Sequence, residues 1–332
     1  MKDVEAAFYE KNEKGSVRCG LCPHNCVIQQ GNRGVCGARK NSGGKLISEI
    51  YARLTAVAMD PIEKKPLYHF HPGTRILSIG TRGCNMKCPY CQNWHISQDL
   101  SANTSYYSPD DIVALAEREN SIGVAYTYSE PMVWYEYVMD TARIAKERDL
   151  KNVLVTNGFI NREPLERLLT CIDAMNIDLK SFREATYRTI NKANLPDVLE
   201  TIRISKSAGC HIELTTLIVT GLNDDVGEMD DIVDFIASVD PEIPWHISRY
   251  HPSYRYDREA TDINFMMAVH ARAIRKLSFV YCGNIPPGCA GHDTICPSCK
   301  TTVISRSGYV TRIVNLRGSA CGSCGHELGI IT

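Results

Sequence analysis

The sequence predicts an α/β fold built on a parallel β-sheet, with cysteine-rich segments at both ends of the chain. Two patterns predict it. Between residues 75 and 284, short apolar runs alternate with helical segments, as in a sheet whose strands are joined by right-handed helical crossovers. Eleven of the 15 cysteines concentrate at the two ends of the chain and in one loop near residue 84, which indicates metal modules around a scaffold.

The bulk composition is ordinary for a globular protein of 332 residues. Hydrophobic residues make up 44%, charged residues 23%, and the formal net charge is −1, so charge alone predicts no nucleic-acid or membrane partner. The N-terminus has charges throughout and lacks the apolar core of a signal peptide, and no run reaches the ~18 apolar residues of a membrane helix. We therefore expect a cytoplasmic protein whose reduced thiols are metal ligands and not disulfides.

Seven short apolar runs are predicted strands, at residues 75–80, 123–131, 152–158, 174–180, 211–221, 245–252 and, as a final strand, 278–284. The segments between them are predicted helices, at residues 108–120, 132–149, 162–170, 197–209, 227–239 and 263–277. Ser108 is the expected N-cap of the first helix, with Pro109 at its first position, and Gly209 closes the fourth. The alternation fits a sheet that is either open or curled into a barrel.

Polar residues follow the predicted strands at their carboxyl ends, where ligands gather in folds of this kind. These residues are Thr127, Ser129, Glu130, Asn157, Asp178, Lys180 and His251. Taken singly, each of these residues could equally well be a helix cap or a solvated loop residue. Their joint position on one rim predicts a ligand site there.

The stretch "CNMKCPYC" places Cys84, Cys88 and Cys91 within eight residues of one another, directly after the first strand. Three thiolates can hold three irons of a [4Fe–4S] cluster, since full ligation normally takes four cysteines. The fourth iron then keeps an open position for chemistry, as catalytic zinc sites do. A structural zinc knuckle that borrows a fourth ligand is the alternative.

This loop resembles the signature of the radical S-adenosylmethionine (SAM) superfamily, C-x3-C-x-aromatic-C, with Tyr90 in the aromatic position. The resemblance implies a partial (β/α)6 barrel and an enzyme that binds SAM through the open iron. It also implies reductive cleavage of SAM to methionine and a 5′-deoxyadenosyl radical, which abstracts a hydrogen atom from the substrate. The cofactor would carry the difficult chemistry while the protein positions it.

Within that superfamily the chain looks most like the pyruvate formate-lyase-activating enzymes, through "TYSEP", "VTNG", "DLK", "TGLNDD" and "YHP" in order along the strands. By this match Ser129 and Glu130 are expected to bind the amino group of SAM. The match also implies that Asp178, Lys180 and His251 lie near SAM.

Val155 departs from the pattern of those enzymes, which have an aspartate before the "TNG". Because a carboxylate is missing there, Glu130 is expected to take over the contact with the ammonium group of SAM.

The flanking segments resemble a narrower branch, the AmmeMemoRadiSam-system radical SAM enzymes. The shared segments are "CGLCPHNC…GNRGVCGARKN", "DPIEKKPLYHFHPG", "CPYCQNWHISQ" and a terminal cysteine pair, so the resemblance covers nearly the whole chain. It implies association with AMMECR1-type and Memo-type proteins and an electron donor such as ferredoxin or flavodoxin. The resemblance indicates the reaction chemistry better than the substrate, because related proteins share their fold and site more often than their biological role.

The C-terminal cysteines form two C-x2-C pairs, Cys296 with Cys299 and Cys321 with Cys324, separated by 21 residues. Zinc ribbons typically have a gap of about 15–20 residues. The pattern predicts a structural Zn²⁺ that closes a small zinc-ribbon-like subdomain, with rubredoxin-like iron as the alternative. A role in substrate or nucleic-acid contact is the functional alternative.

The N-terminal set follows the pattern C-x2-C-x3-C-x9-C, with Cys19, Cys22, Cys26 and Cys36. Four thiolates suit zinc and also a second iron–sulfur cluster. The spacing differs from the C-x2-C-x2-C run of ferredoxin-like clusters, so zinc is favoured and an auxiliary cluster stays open. His24 is a competing ligand.

These observations divide the chain into a cysteine-rich extension (1–72), the partial barrel (73–288) and a four-cysteine ribbon (289–332). The leading function is a radical SAM enzyme acting on a protein or other large substrate, such as a glycyl radical enzyme. The second is modification of RNA or a small metabolite, since the basic strip at 249–258 suits phosphate. The third is a non-catalytic metal-ribbon adaptor, against which the intact three-cysteine loop argues.

Overall fold

The computed structural model describes residues 4–286, 289 and 291–332. Its centre is a sheet of eight strands, β1 (Ala56–Pro61), β2 (Arg75–Gly80), β3 (Gly123–Tyr126), β4 (Lys151–Thr156), β5 (Ala174–Asp178), β6 (His211–Ile218), β7 (Trp245–Arg249) and β8 (Val280–Gly283). Strands β2 to β8 are parallel and lie in chain order, and β1 pairs antiparallel with β2. The carboxyl ends of β2 to β8 therefore meet at one edge of the sheet.

Six helices make the crossovers between successive parallel strands, α1 (Pro109–Arg118), α2 (Tyr135–Glu147), α3 (Arg162–Leu169), α4 (Leu195–Ser207), α5 (Val226–Val239) and α6 (Ile263–Ala273). The first begins as predicted, because Ser108 and Asp111 form a reciprocal capping box. Strands β8 and β1 are the two edge strands of the sheet, so the sheet does not close on itself. The predicted partial (β/α)6 barrel is confirmed, with β8 as its seventh parallel strand.

The predicted strands are too long at their carboxyl ends. The run predicted as 123–131 ends at Tyr126, and the run predicted as 152–158 ends at Thr156. The chain turns directly afterwards through left-handed positions, with φ of +68° at Tyr128 and +70° at Gly158, which a strand does not tolerate. The residues just beyond these strand ends, such as Thr127 and Asn157, are those that the sequence predicted for the ligand site.

Several elements were not predicted from the sequence. Strand β1 ends in Pro61, which reads as a strand breaker but is tolerated at the edge of a sheet. Between β5 and α4 the chain forms a short helix at Glu184–Thr186 that continues as a π-helix at Tyr187–Asn191. The remaining short helices are Glu13–Gly15, Ile62–Lys64, Trp94–Ser97 and Pro131–Trp134.

The two end segments are built from short antiparallel strands. Those of the N-terminal segment are Val4–Glu5, Tyr9–Lys11, Val17–Cys19, Val27–Ile28, Arg39–Ser42, Lys45–Ser48 and Arg53–Leu54, the last paired with Ser105–Tyr106. Those of the C-terminal segment are Thr294–Ile295, Thr302–Ser307, Val310–Ile313, Leu316–Arg317 and Ala320–Cys321.

Both end segments are hydrogen-bonded to the barrel. Strand β1 lies within residues 1–72 yet belongs to the central sheet, and in the C-terminal segment the hydroxyl of Thr294 lies 2.9 Å from that of Tyr281 in β8. The predicted boundary at residue 288 lies outside the described residues, and the three-part division stays a prediction. In the part of the chain that the structure describes, every helix is too short or too polar to cross a membrane.

A buried polar network joins the C-terminal segment to the amino end of the sheet. Glu213 of β6 is fully buried and accepts hydrogen bonds from the backbone amides of Tyr68 and His69, and from Nε2 of His211 and His246. The His69 ring in turn lies 2.7 Å from the hydroxyl of Tyr281 and 3.2 Å from the carbonyl oxygen of Leu328. The "YHFHP" part of the "DPIEKKPLYHFHPG" segment therefore lies at the interface between the C-terminal segment and the sheet.

Candidate functional site

The loop after β2 brings its three cysteines to a cavity of about 250 Å³ at the carboxyl edge of the sheet. The cavity is also lined by seven further residues that the sequence predicted for the site, Tyr90, Thr127, Ser129, Glu130, Asn157, Asp178 and Lys180, and by Val155. The predicted contact residue His251 is instead exposed and does not line the cavity. Ser248 is the residue of strand β7 that lines it.

Hydrogen-bond donors surround the sulfur of Cys84. The backbone amide of Met86 donates to Sγ at 3.3 Å, and Nδ2 of Asn157 lies 3.6 Å from the same atom. The Asn157 amide also donates to Oδ1 of Asn85 at 2.9 Å, so the end of β4 is tied to the cysteine loop. Burial raises the pKa of the Cys84 thiol well above its usual value. Iron binding must displace that proton, because the metal ligand is the thiolate.

Asn191, at the end of the π-helix, serves the second cysteine. Its Nδ2 donates to Sγ of Cys88 at 3.1 Å and to the hydroxyl of Tyr90 at 2.8 Å. The third cysteine, Cys91, has its sulfur 3.2 Å from Oγ of Ser97. Each thiolate of the loop therefore has a polar partner, as the sulfurs of iron–sulfur clusters do.

Sequence reasoning missed Asn191 and Ser97, and also Thr215, which lines the cavity from β6. Asn191 lies in a helical turn that has no amphipathic pattern, so no signal pointed to it. For Ser97, the sequence offered only its position in the "CQNWHISQ" segment, which the chain shares with the family it resembles.

Glu130 is 2% exposed and accepts three hydrogen bonds from the protein. They come from the backbone amide of Met132 at 3.1 Å, the hydroxyl of Thr156 at 2.7 Å and the backbone amide of Asn157 at 2.8 Å. Burial raises the pKa of its carboxyl to about 7, against these hydrogen bonds, which lower it. Glu130 therefore caps the turn at Pro131–Trp134 and also faces the cavity.

Two hydroxyls of the cavity wall are buried without a hydrogen-bond partner among the described residues, Oγ of Ser129 and Oγ1 of Thr215. Leaving such a group unpaired costs free energy, about 1–3 kcal/mol for a buried donor or acceptor. Orphaned hydroxyls in a cavity wall are what a polar ligand would satisfy, which fits the amino-acid moiety of SAM.

Lys180 and Asp178 place opposite charges on the same cavity, with Nζ and Oδ2 2.8 Å apart. Burial lowers the pKa of Lys180, but the carboxylate of Asp178 and the thiol of Cys88 outweigh it and hold that pKa well above its usual value. A fixed cation beside carboxylates matches a ligand that carries both an ammonium and a carboxylate group. The residues present therefore fit SAM and a cluster with three thiolate ligands.

The C-terminal cysteines form a compact group of four sulfurs that could hold a metal ion. In the ranges 4–286, 289 and 291–332, they are the one group of ligand atoms from three or more His, Cys, Asp or Glu residues that all lie within 4.8 Å of one another. The sulfurs of Cys296 and Cys324 are 3.7 Å apart, and those of Cys299 and Cys321 are 3.6 Å apart. Tetrahedral zinc, with Zn–S of about 2.3 Å, spaces its sulfurs by about 3.8 Å. The geometry fits a single ion of that kind.

The N-terminal cysteines surround a second, smaller cavity. Cys19, Cys22, Cys26 and Cys36 line it together with Arg39, and His24 also reaches it. The predicted metal module is therefore assembled in space from residues that are up to 17 positions apart in the sequence.

Comparison with known proteins identifies the class of enzyme. Residues 78–236 match the family model of the radical SAM superfamily. The uncharacterized protein MJ0808 of Methanocaldococcus jannaschii is 41% identical over 334 residues, which cover 98% of this chain and 99% of that protein. The pyruvate formate-lyase 1-activating enzyme of Escherichia coli is 26% identical over 163 residues, 46% of this chain and 65% of the enzyme.

The fold is shared with a solved structure. The crystal structure of Streptococcus suis SuiB bound to S-adenosylmethionine superposes with a TM-score of 0.51 at 12% identity, over 63% of this chain and 52% of that one. The chain belongs to the radical SAM superfamily. It is an enzyme of that superfamily, related to the pyruvate formate-lyase-activating enzymes.

Proposed function

We propose that this enzyme cleaves SAM reductively in the 250 Å³ cavity and abstracts hydrogen from a protein or other large substrate. The observation that carries the proposal is the meeting of the three-cysteine loop, two orphaned hydroxyls and the Lys180–Asp178 pair in that one cavity. When bound, the [4Fe–4S] cluster and SAM supply a 5′-deoxyadenosyl radical.

The residues of the chain have distinct tasks in this proposal. Cys84, Cys88 and Cys91 hold the cluster. Lys180 faces the carboxylate of SAM, and the hydroxyls of Ser129 and Thr215 gain a partner when SAM binds. Glu130 accepts a hydrogen bond from the ammonium group of SAM. An ionised carboxylate has about four acceptor sites, and the three protein donors leave room for this further bond.

The relation to the E. coli activating enzyme supports a large substrate, and so does the rim of the cavity. Trp94 follows Asn93, a lining residue, and is 40% exposed. Its ring stacks on that of Tyr254 with centroids 5.2 Å apart. This pair of an exposed Trp94 and a half-buried Tyr254, beside the mouth of the cavity, offers apolar area to a chain that enters from outside.

Several finer features belong to the same proposal. A one-electron donor such as ferredoxin or flavodoxin would reduce the cluster, and Zn²⁺ would occupy the C-terminal centre. Association with AMMECR1-type and Memo-type proteins and a cytoplasmic location stay predictions from the sequence.

Formation of 5′-deoxyadenosine tests the chemistry. Anaerobically reconstituted protein, dithionite and SAM should yield it, and a Cys88→Ala variant should not. No product from protein with a full cluster would favour the non-catalytic adaptor.

Deuterium transfer tests the substrate class. Extracts of cells grown in deuterated medium, fractionated by size and by protease or nuclease treatment, are offered to the enzyme. We expect deuterium in 5′-deoxyadenosine from a protease-sensitive, large fraction. Transfer from a nuclease-sensitive or low-mass fraction would instead establish the RNA or metabolite alternative.

A further inference from the structure

We infer that the N-terminal cysteines Cys19, Cys22, Cys26 and Cys36 hold a second iron–sulfur cluster and not a zinc ion. The site is separate from the three-cysteine loop, and the inference does not depend on the substrate or activity proposed above. Four thiolates can ligate a complete [4Fe–4S] cluster, so this cluster would have no open iron and would bind no SAM.

The spacing of the sulfurs carries the inference, because the chain contains its own reference for a single-ion site. A single ion draws its four sulfurs to within about 3.8 Å of one another, and the C-terminal sulfurs already stand at 3.6 and 3.7 Å. A cluster spaces them further apart, since each thiolate binds a different iron.

The N-terminal set shows the wider spacing. Among the described residues, which include all four of its cysteines, no three of its sulfurs lie within 4.8 Å of one another, since the C-terminal group alone meets that criterion. The three cysteines of the radical SAM loop share this wider spacing. The four N-terminal sulfurs nevertheless line one common cavity, so they are spread around a space and not scattered.

The arrangement of the ligands in the chain agrees with the spacing. The C-terminal centre is made from two C-x2-C pairs that face each other, the usual way to grip one ion. The N-terminal set has a single such pair, and of its other two cysteines Cys26 directly precedes the strand Val27–Ile28 while Cys36 lies in a later turn. His24 also lines the cavity, with its Nε2 2.7 Å from the carbonyl oxygen of Asn85, so Nδ1 is its available ring nitrogen. The four thiolates by themselves are sufficient to ligate a complete cluster.

A buried cation faces the site. Arg39 is 1% exposed, and its Nη1 lies 3.7 Å from Sγ of Cys19. The guanidinium also pairs with the carboxylate of Glu136 and donates to the carbonyl oxygen of Ala7. A buried arginine is costly unless it is compensated, and the negative charge of a thiolate-ligated cluster adds to the compensation that Glu136 supplies.

The second site lies against the loop that carries the first. A Cβ atom at Gly83, next to Cys84, would come within 2.9 Å of the carbonyl oxygen of Cys36. Gly83 has a φ of +100° and lies in direct contact with the N-terminal segment. His24 makes the second link through Asn85. The N-terminal segment and the three-cysteine loop are therefore in direct contact between the two metal sites, and the N-terminal segment supports the loop.

The test is the metal content of the full chain when the loop cluster has been removed. The variant Cys84→Ala/Cys88→Ala/Cys91→Ala is purified anaerobically from cells grown with both iron and zinc. We expect it to keep about four irons and four sulfides per chain, with the visible absorption and low-temperature EPR signal of a reduced cluster. Adding Cys22→Ala and Cys26→Ala should abolish that iron, while Cys296→Ala/Cys321→Ala should leave it and remove only zinc.

Native protein provides a measurement that does not depend on the variant's folding. We expect about eight irons and one zinc per chain. About four irons and two zincs in the native protein would overturn the inference. So would a triple variant that melts like the native protein yet contains zinc, one iron or no metal at the N-terminal site.

Discussion

The backbone amide of Asn157 donates a 2.8 Å hydrogen bond to Oε2 of Glu130, which joins the ends of β4 and β3 beneath the cavity. Asn157 in turn presents its side-chain amide to Cys84 at 3.6 Å. Glu130 therefore orders the strand end that faces the cysteine loop. Capping and ligand contact, which the sequence offers as alternatives for Glu130, are compatible in this geometry.

Ser129→Ala isolates ligand binding from stability. The Ser129 hydroxyl is buried without a protein partner among the described residues, so its loss should leave the melting temperature unchanged. A hydrogen bond of about 0.5–1.5 kcal/mol to bound SAM corresponds to a roughly two- to tenfold loss of affinity. Titration of SAM into the reduced variant measures it, with Ser207→Ala at the exposed end of α4 as control. Unchanged affinity in Ser129→Ala would remove Ser129 from the SAM site.

Glu130→Gln should affect both binding and stability. The variant loses the charge that would face the ammonium group and must place an amide against the donors of Met132, Thr156 and Asn157. A charge-assisted bond of roughly 1.5–3 kcal/mol predicts about ten- to hundredfold weaker SAM binding, together with a lower melting temperature. A lower melting temperature at unchanged SAM affinity would leave Glu130 as a cap alone.

The pH dependence gives a second measurement on Glu130. Burial raises its pKa from 4.5 to about 7, so the folded state holds this proton more tightly than the unfolded state. Its contribution to stability is therefore largest below pH 4.5 and declines as pH rises through 7. The ammonium contact needs the carboxylate, so SAM affinity should fall as pH drops below about 7. Glu130→Gln should flatten that dependence.

Asn191→Leu should lower the reduction potential of the loop cluster. Asn191 donates to Sγ of Cys88, and hydrogen bonds to cluster sulfurs favour the reduced, more negative state. A loss of about 1 kcal/mol corresponds to roughly 40 mV for a one-electron couple. Potentiometric EPR measures the shift, with Thr189→Ala on the same π-helix as control. An unchanged potential with full iron content would show that the bond has no electrostatic effect on the cluster.

Cys299→Ser should remove the C-terminal metal and leave the loop chemistry in place. Cys299 shares a four-sulfur centre with Cys321 at 3.6 Å, and three thiolates hold zinc more weakly than four. We expect about one zinc fewer per chain, a lower melting temperature and an unchanged iron content. The buried, unassigned Cys210 supplies the control Cys210→Ser. Iron lost with Cys299→Ser would identify a rubredoxin-like site instead.

Glu213→Gln should destabilise the fold without touching the SAM site. Removing one partner of a buried charge network costs about 3–5 kcal/mol, and Glu213 serves the amides of Tyr68 and His69 besides two imidazoles. Burial raises the pKa of Glu213, but the hydrogen bonds from His211 and His246 hold it well below its usual range. Its stabilisation is therefore present above the unfolded carboxyl pKa and is lost in strong acid.

Chemical denaturation of Glu213→Gln measures that loss, with the exposed Glu242→Gln as matched control. SAM cleavage per folded chain should stay at the native value, because Glu213 lies near the amino end of β6 and does not line the cavity. A loss of cleavage at full folding would contradict a purely structural role.

Sequence patterns by themselves determined the seven parallel strands, the six crossover helices and the three-cysteine loop. Hydrophobic periodicity, caps such as Ser108 and the spacing of Cys84, Cys88 and Cys91 are all local properties of the chain. They also predicted that Ser129, Glu130 and Lys180 share one edge of the sheet, where these residues line the cavity, since all parallel strands end on the same side.

The tertiary structure alone decided the contacts between distant residues. Asn191 reaches Cys88 across 103 positions of sequence, and no local pattern encodes such a pair. His251 lies outside the cavity because β7 ends at Arg249 and the chain turns away from the edge. The spacing of the N-terminal sulfurs, too, depends on how separate turns pack against the loop, because cysteine intervals along the chain set which thiols are near and not how far apart they stand.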